Sequence, residues 1–348
     1  MAKLSPTIRD VAQKAGVSVS TVSRILTGTE TAISISEETR TKVLEAAKEL
    51  SYRPHLGARL LRGKGANLLG LILREIDDLF FAQVVQVISQ AAQEKGWEIV
   101  LGYARNDPNE ALRLSELMLD LRYCDGLFLL GDLHESPEDR SFLIQMNHNM
   151  PLVQLCRGNN NLVGNIPSIN VDNAKGSALA LNYLMELGHH RIAFIGSERL
   201  GDLYERQEAY IQFMETHFGG VPTGYLQQAE NSLEGGYQAM SRMLSLCTPP
   251  TAVFASDDMM ATGALRATYV HQKQVPHDIS LIGFDDIKLA SFLTPPLTTI
   301  RQSSEQLGKK AVQLILSLTN GSYTQNNPRH IIIEPELVIR SSCSVPHN

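Results

Sequence analysis

From residue 68 onward, short apolar runs alternate with longer amphipathic stretches, and this alternation restricts the fold more than any other feature of the chain. The runs fall at 68–73, 99–103, 126–130, 152–155, 168–171, 191–195, 252–255, 280–284 and 297–300. They are nearly continuous in apolar residues, so each strand must be buried on both faces. Helical patterns lie between most of them. In 81–95, for example, Val84, Val85, Ile88, Ala91 and Ala92 share one face. Doubly buried strands separated by helices pack as parallel sheets covered on both sides. Such sheets bind ligands at the carboxyl ends of their strands.

The first sixty or so residues follow a different period. Thr7 is placed to cap a helix, with Asp10 three residues on, and Ile8, Val11, Ala12 and Ala15 form its apolar stripe. Gly16 supplies the turn. Ser18 can cap a second helix with Val22, Ile25 and Leu26 inward and Val19, Ser20, Ser23 and Arg24 outward. A third helix follows a Ser36 cap, with Val43, Ala46, Ala47 and Leu50 as its apolar face. Spacing alone leaves two readings open: a plain three-helix domain, or a helix-turn-helix module. For the second, hydroxyls and amides at a helix N-terminus bind phosphate, and an outward arginine takes guanine bidentately.

Charge is divided along the chain. Through Lys64 there are eleven Lys and Arg against six Asp and Glu, a balance of +5, which leaves −11 for the remainder of a chain of net charge −6. A basic head on an acidic body places any contact with nucleic acid on the head. A length of 348 residues suits two or three domains, and 43% apolar residues suffice for a large core. No run of eighteen apolar residues occurs, so no membrane span is expected, and the opening Met1–Pro6 lacks the apolar centre of a signal peptide. Cys124, Cys156, Cys247 and Cys343 form no CxxC pair and are read as reduced thiols of a cytoplasmic protein.

The string Ile8-Arg9-Asp10-Val11-Ala12-Gln13-Lys14-Ala15-Gly16-Val17-Ser18, then Thr21-Val22-Ser23-Arg24-Ile25-Leu26, closely resembles the head of the lactose-repressor (LacI/GalR) family, and Tyr52-Arg53-Pro54 stands where that head ends. The resemblance implies a helix-turn-helix domain over 1–54. In it, Val19 and Ser20 choose the operator sequence, Arg24 reads bases, and Thr7, Ser18, Thr21 and Ser23 contact phosphate or base edges. It also implies a hinge over 55–66 that folds on DNA in the minor groove, with Leu61 wedged between base steps and Ala58 and Arg59 matching the pattern. His55 stands where asparagine is usual, Thr27 replaces another asparagine, and the loop at 28–35 is longer than is typical.

The resemblance continues through Leu187-Gly188-His189-His190-Arg191-Ile192, Phe254-Ala255-Ser256-Asp257-Asp258, the stretch from Ile279 to Asp286, and Pro295-Pro296-Leu297-Thr298-Thr299-Ile300. It implies an α/β body of the periplasmic-binding-protein type over 67–341, followed by a short tail, 342–348. Two doubly wound parallel-sheet subdomains are expected there, the first at 67–167 plus 298–326, the second at 168–297 plus 330–340. The effector would lie between them, against Asp78, Phe80, Phe81, Arg157, Arg206, Ser256 and Asp285. Carboxylates, guanidinium and an aromatic face suit a polyhydroxylated ligand. Three of these have structural alternatives: Asp285 as a helix cap, Arg206 as an ion pair, Phe80 as core. Asp257 and Asp286 are read as caps or interface residues.

No GxGxxG, Walker A, HExxH or GxSxG motif occurs, and the ten histidines show no metal spacing. The expectation is therefore a non-enzymatic, cofactor-free transcriptional regulator, in the main a repressor. It would act as a homodimer on a palindromic double-stranded operator, with a sugar or sugar derivative as effector. A periplasmic-type receptor, or a sensor of a nucleobase or other metabolite, are the alternatives.

Overall fold

A computed structural model describes residues 6–27, 35–50, 52, 67–120, 124–133, 137–158, 163–197, 201–324 and 327–347. The chain divides into two compact units, Met1–Ala66 and Asn67–Asn348. His55, Ala58, Arg59 and Leu61, the expected hinge contacts, lie outside the described residues.

The first unit contains helices α1 (Ile8–Ala15), α2 (Val19–Thr27) and α3 (Glu37–Glu49). Thr7 and Asp10 form a capping box: the Thr7 N–H donates to Asp10 Oδ2 at 2.7 Å, and Asp10 N–H donates to Thr7 Oγ1 at 3.4 Å. Gly16 ends α1 in the left-handed region at φ 66°, where its N–H and that of Val17 reach back to carbonyls of the last turn. Ser36 caps α3 through Thr39 N–H. Val11, Val22 and Val43, one from each helix, are fully buried together with Ala12, Ile25, Ala46 and Ala47.

The second unit is built on two six-stranded sheets. Its elements are β1 (Leu68–Leu73), α4 (Leu79–Gln93), β2 (Glu98–Tyr103), α5 (Pro108–Asp120), β3 (Gly126–Leu130), α6 (Pro137–Asn149), β4 (Leu152–Leu155), β5 (Ser168–Val171), α7 (Asn173–Glu186), β6 (Ile192–Gly196), α8 (Gly201–Phe218), β7 (Leu226–Gln228), α9 (Leu233–Leu244), β8 (Ala252–Ala255), α10 (Asp258–Val270), β9 (Ser280–Asp285), β10 (Thr298–Arg301), α11 (Ser304–Thr319), β11 (His330–Ile333) and β12 (Glu336–Val338). The first sheet runs β11-β5-β4-β3-β1-β2 with every pairing parallel. The second runs β12-β10-β9-β8-β6-β7, parallel except for β12 against β10. β1, β3, β4, β5, β6, β8 and β9 are buried almost end to end, as their unbroken apolar runs require.

The subdomain boundaries expected at 167/168 and 297/298 are displaced by one strand each. Ser168–Val171 pairs with β4 and β11 in the first sheet, and Thr298–Arg301 pairs with β9 in the second. The closing segment divides likewise, β11 joining the first sheet and β12 the second. The physical reason is that a strand belongs where its backbone finds partners. The chain therefore changes sheet only after a strand's carboxyl end, at 172, 302–303 and 334–335. Two of these crossings touch: Asp172 N–H donates to Ile333 O at 3.2 Å.

α9 and α10 pack backbone to backbone, because a Cβ on Gly263 would stand 1.9 Å from Leu233 O and one on Gly236 2.1 Å from Met260 O. Gly263→Ala should therefore force these helices apart and lower the urea midpoint of the second unit by an amount equivalent to at least about 2 kcal/mol. In contrast, Gly16→Ala meets no atom within 4 Å. Its cost is confined to the left-handed backbone, about 1 kcal/mol in the first unit's own transition. An unchanged transition in either variant would contradict the corresponding packing or turn.

Candidate effector cleft and nucleic-acid-facing helix

Parallel strands all deliver their carboxyl ends to one edge of the sheet, so the loops that follow them gather there. In the second unit these loops enclose a cavity of about 1200 Å³. Asp77 and Asp78 come from the segment after β1, Tyr103 and Asn106 from around the end of β2, Asp132 from beyond β3, Ser197 from beyond β6, and Glu230 and Asn231 from beyond β7. Loops from both sheets thus share one cleft.

A charged layer lies under it. Arg74, at the carboxyl end of β1, is about 2% exposed, and its guanidinium sits 4.8 Å from the centre of the Phe81 ring. It faces Asp78 at 3.9 Å and, from the other sheet's side, Asp202 on α8 at 3.6 Å. Asp202 also stands 3.8 Å from Arg206, one turn further along α8. Arg206 lies 3.7 Å over the Phe284 ring. It donates to Asn173 Oδ1 at 3.0 Å and Ser256 O at 2.6 Å, and approaches Asp285 Oδ1 at 3.4 Å. Asp285 is held further by the Gln302 amide, on a backbone at φ 113° that non-glycine residues rarely adopt. Arg157 is fixed separately: its Nε meets Asp132 Oδ1 at 3.1 Å, and its backbone N–H donates to Asn170 Oδ1 at 3.0 Å.

Burial raises several carboxyls here. Asp78 and Asp285 lie above the ordinary carboxylate range because desolvation outweighs the nearby arginines. Asp257 is pushed up to about 6 and Asp258 to about 8, again chiefly by burial. Both are structural. Asp257 caps α10 by accepting from Met260 N–H, and Asp258 accepts from Ile287 N–H and the Thr299 hydroxyl. Asp286 ion-pairs with Arg301 and Arg340.

Of the seven residues expected against the effector, Asp78 lines the cavity, where it also caps α4 through Phe80 and Phe81 N–H. Arg206, Ser256 and Asp285 are brought together beneath the cleft, Arg157 is buried against Asp132 and Asn170, and none of the four lines the cavity itself. Phe80 and Phe81, expected as an aromatic wall, are 3% and 2% exposed within the core, because the first turn of α4 folds them under the sheet. Among the described residues, the aromatic side chain on the cavity is Tyr103, whose hydroxyl donates to Glu75 at 2.8 Å. Sequence reading missed Arg74, Asp132 and Asp202, although Arg74 and Asp132 lie just beyond apolar strands and Asp202 stands at i−4 from Arg206. Gln302 carried no such signal.

In the first unit, Val19 (38% exposed) and Ser20 lie outward on α2, and Arg24 is partly exposed. Thr7 is exposed at the α1 cap. The Ser18 hydroxyl accepts from Thr21 N–H and lies within hydrogen-bond reach of the Ser20 and Thr21 hydroxyls, which gathers three hydroxyls at the start of α2. Ser23, expected outward, is 8% exposed. A nine-residue helix packed against two others leaves a narrower outer face than its apolar stripe suggests.

A family model described as bacterial regulatory proteins, lacI family, matches residues 7–55, and one described as a periplasmic binding protein-like domain matches 181–343. The HTH-type transcriptional repressor CytR of Escherichia coli (strain K12) is 34% identical over 97% of this chain and 96% of that protein. The probable HTH-type transcriptional repressor ExuR of Bacillus subtilis (strain 168) is 34% identical over 97% of this chain and 98% of that protein. Among solved structures, the lac repressor dimer bound to operator and the anti-inducer ONPF superposes with a TM-score of 0.84 at 29% identity, covering 97% of this chain and 99% of that one.

The raised Asp257 carboxyl sets a pH dependence. Its protonated form is favoured by folding, so its contribution is fully present below the ordinary value of 3.8 and is lost as pH rises through about 6. Asp257→Asn keeps a good capping residue. Its urea midpoint should therefore fall less than that of the unmodified protein between pH 5 and pH 7. Equal changes in the two proteins would remove Asp257 as a source of the dependence.

Proposed function

Since the chain belongs to the lacI family of bacterial regulatory proteins, DNA-binding transcriptional regulators, we propose that it represses transcription in the cytoplasm as a homodimer on a near-palindromic operator. A small polyhydroxylated effector in the cleft of the second unit sets its operator affinity. The observation that carries this reading is the pairing of two features in one chain. One is a capped helix with Val19, Ser20 and Arg24 outward, and the other is a cleft drawn from two sheets over a charged layer. Action by binding rather than by catalysis agrees with the repressor names of the relatives.

A dimer accounts for apolar surface on the second unit. β2 is an edge strand with Val100 and Leu101 exposed, and Leu117 on α5 is exposed as well. A two-fold contact there covers this surface and sets two heads on successive major grooves. The effector acts through a difference in its affinity for the DNA-bound and free states, and its leverage equals that difference. Asp78, Arg157, Arg206, Ser256 and Asp285 form the proposed effector-responsive set, with Asp78 in direct reach.

The test is selection of bound genomic fragments by the full chain at near-physiological salt, followed by titration of the enriched site. A palindromic site should emerge. Arg24→Ala should weaken it by about 1–3 kcal/mol while leaving binding to unrelated DNA nearly unchanged. Binding without sequence preference, with or without a metabolite extract, would refute the operator reading. Leu101→Asp should shift the protein from dimer to monomer in sedimentation velocity and weaken operator binding with it. A variant that stays dimeric would move the interface elsewhere.

A further inference from the structure

Seven carboxylates line the cleft, and among the described lining residues there is no Lys or Arg. Two of the seven have buried arginine partners behind them: Asp132 meets Arg157, and Asp78 faces Arg74. The other five, Glu75, Asp77, Asp107, Glu230 and Glu234, make no ion pair among the described residues; Glu75 is held by the neutral Tyr103 hydroxyl and Asn106 amide. Asp77 stands on the first subdomain's wall and Glu230 on the second's. Bringing such walls together around a neutral or anionic molecule crowds like charges and strips their water with nothing to compensate.

A second, independent feature points to a ligand. Nε and Nη1 of the buried Arg74 guanidinium have no hydrogen-bond partner, and its ion contacts, at 3.6 and 3.9 Å, are too long to supply one. Arg74 does not itself line the cavity, but it lies directly behind the lining residues Glu75 and Asp78, and a buried donor in this state calls for an acceptor oxygen reaching in between them.

We propose that the effector of this cleft is a polyhydroxylated amine of the amino-sugar class, its ammonium between the acidic walls and an oxygen acceptor directed toward Arg74. This rests on reading the cleft as the effector site. The ammonium supplies the charge that the described lining residues lack, and sugar phosphates and uronates are disfavoured by their repulsion.

Isothermal titration of the full chain with matched sets sharing one ring (hexosamine, N-acetylhexosamine, hexose and uronate, in the gluco, galacto and manno series) tests this. One hexosamine should bind at least tenfold more tightly than its three counterparts and should change operator affinity. Asp77→Asn/Glu230→Gln should erase about tenfold of that preference, and raising salt from 50 to 300 mM should narrow it. A hexose, N-acetylhexosamine or uronate binding as tightly as its amine, or no binding by any hexosamine, overturns the inference. A metabolite extract assayed in parallel separates the two readings. If the extract changes operator affinity while the amines do not, the cleft remains a sensor and the amine assignment falls. If neither acts, the sensor reading falls with it.

Discussion

The Arg206 guanidinium is buried to about 1% exposure, and four separate parts of the second unit meet on it. The Phe284 ring from β9 lies against one face, Asn173 at the start of α7 and the Ser256 carbonyl beyond β8 accept its protons, and Asp285 and Asp202 supply counter-charge. Removing a charge of this kind from water costs several kcal/mol, and only a complete set of partners recovers that cost. Loss of one partner leaves the rest uncompensated, at about 3–5 kcal/mol. The carboxyl ends of β8 and β9 and the first turns of α7 and α8 are therefore held in one arrangement.

Asp202 carries this constraint across the cleft. It stands one turn before Arg206 on α8 and also 3.6 Å from Arg74, which ends the first strand of the other sheet. The two sheets are thus linked by alternating charges as well as by a buried apolar cluster that draws on both. Charge–charge attraction falls only as the inverse of distance, so these contacts tolerate small shifts of one sheet that would cost a dispersion contact much of its well, while water entering between the charges weakens them. The chain crosses between the sheets at three places, and two crossings are hydrogen-bonded to each other. Beyond the shared cluster, each sheet also packs a core of its own on its other face.

The first unit works on a smaller scale. Among its described residues, the seven buried apolar side chains are all Val, Ile or Ala. A core of this size leaves little stability to spare. The capping box at Thr7, the left-handed Gly16 and the Ser18 and Ser36 caps each satisfy helix-end groups that would otherwise cost free energy. The hydroxyl that caps α2 stands at the positive end of its dipole.

Local rules sufficed for much of this protein. Caps at Thr7, Ser18 and Ser36, the turn at Gly16, and nearly every strand of the second unit were legible, because they depend on side-chain chemistry and apolar period over a few residues. β7, with three half-exposed residues, left no such trace. The placement of Ser168–Val171 and Thr298–Arg301 was not legible, because sheet membership is decided by backbone partners more than a dozen residues away. The same holds for the site. The family resemblance placed Asp78, Phe80, Phe81, Arg157, Arg206, Ser256 and Asp285 against one ligand, and of these Asp78 lines the cavity. Only the tertiary structure decided that Phe80 and Phe81 turn into the core, that Tyr103 faces the cavity, and that Arg74 and Asp202 join the two subdomains. Burial direction and charge pairing are set by neighbours that meet only when both sheets have formed.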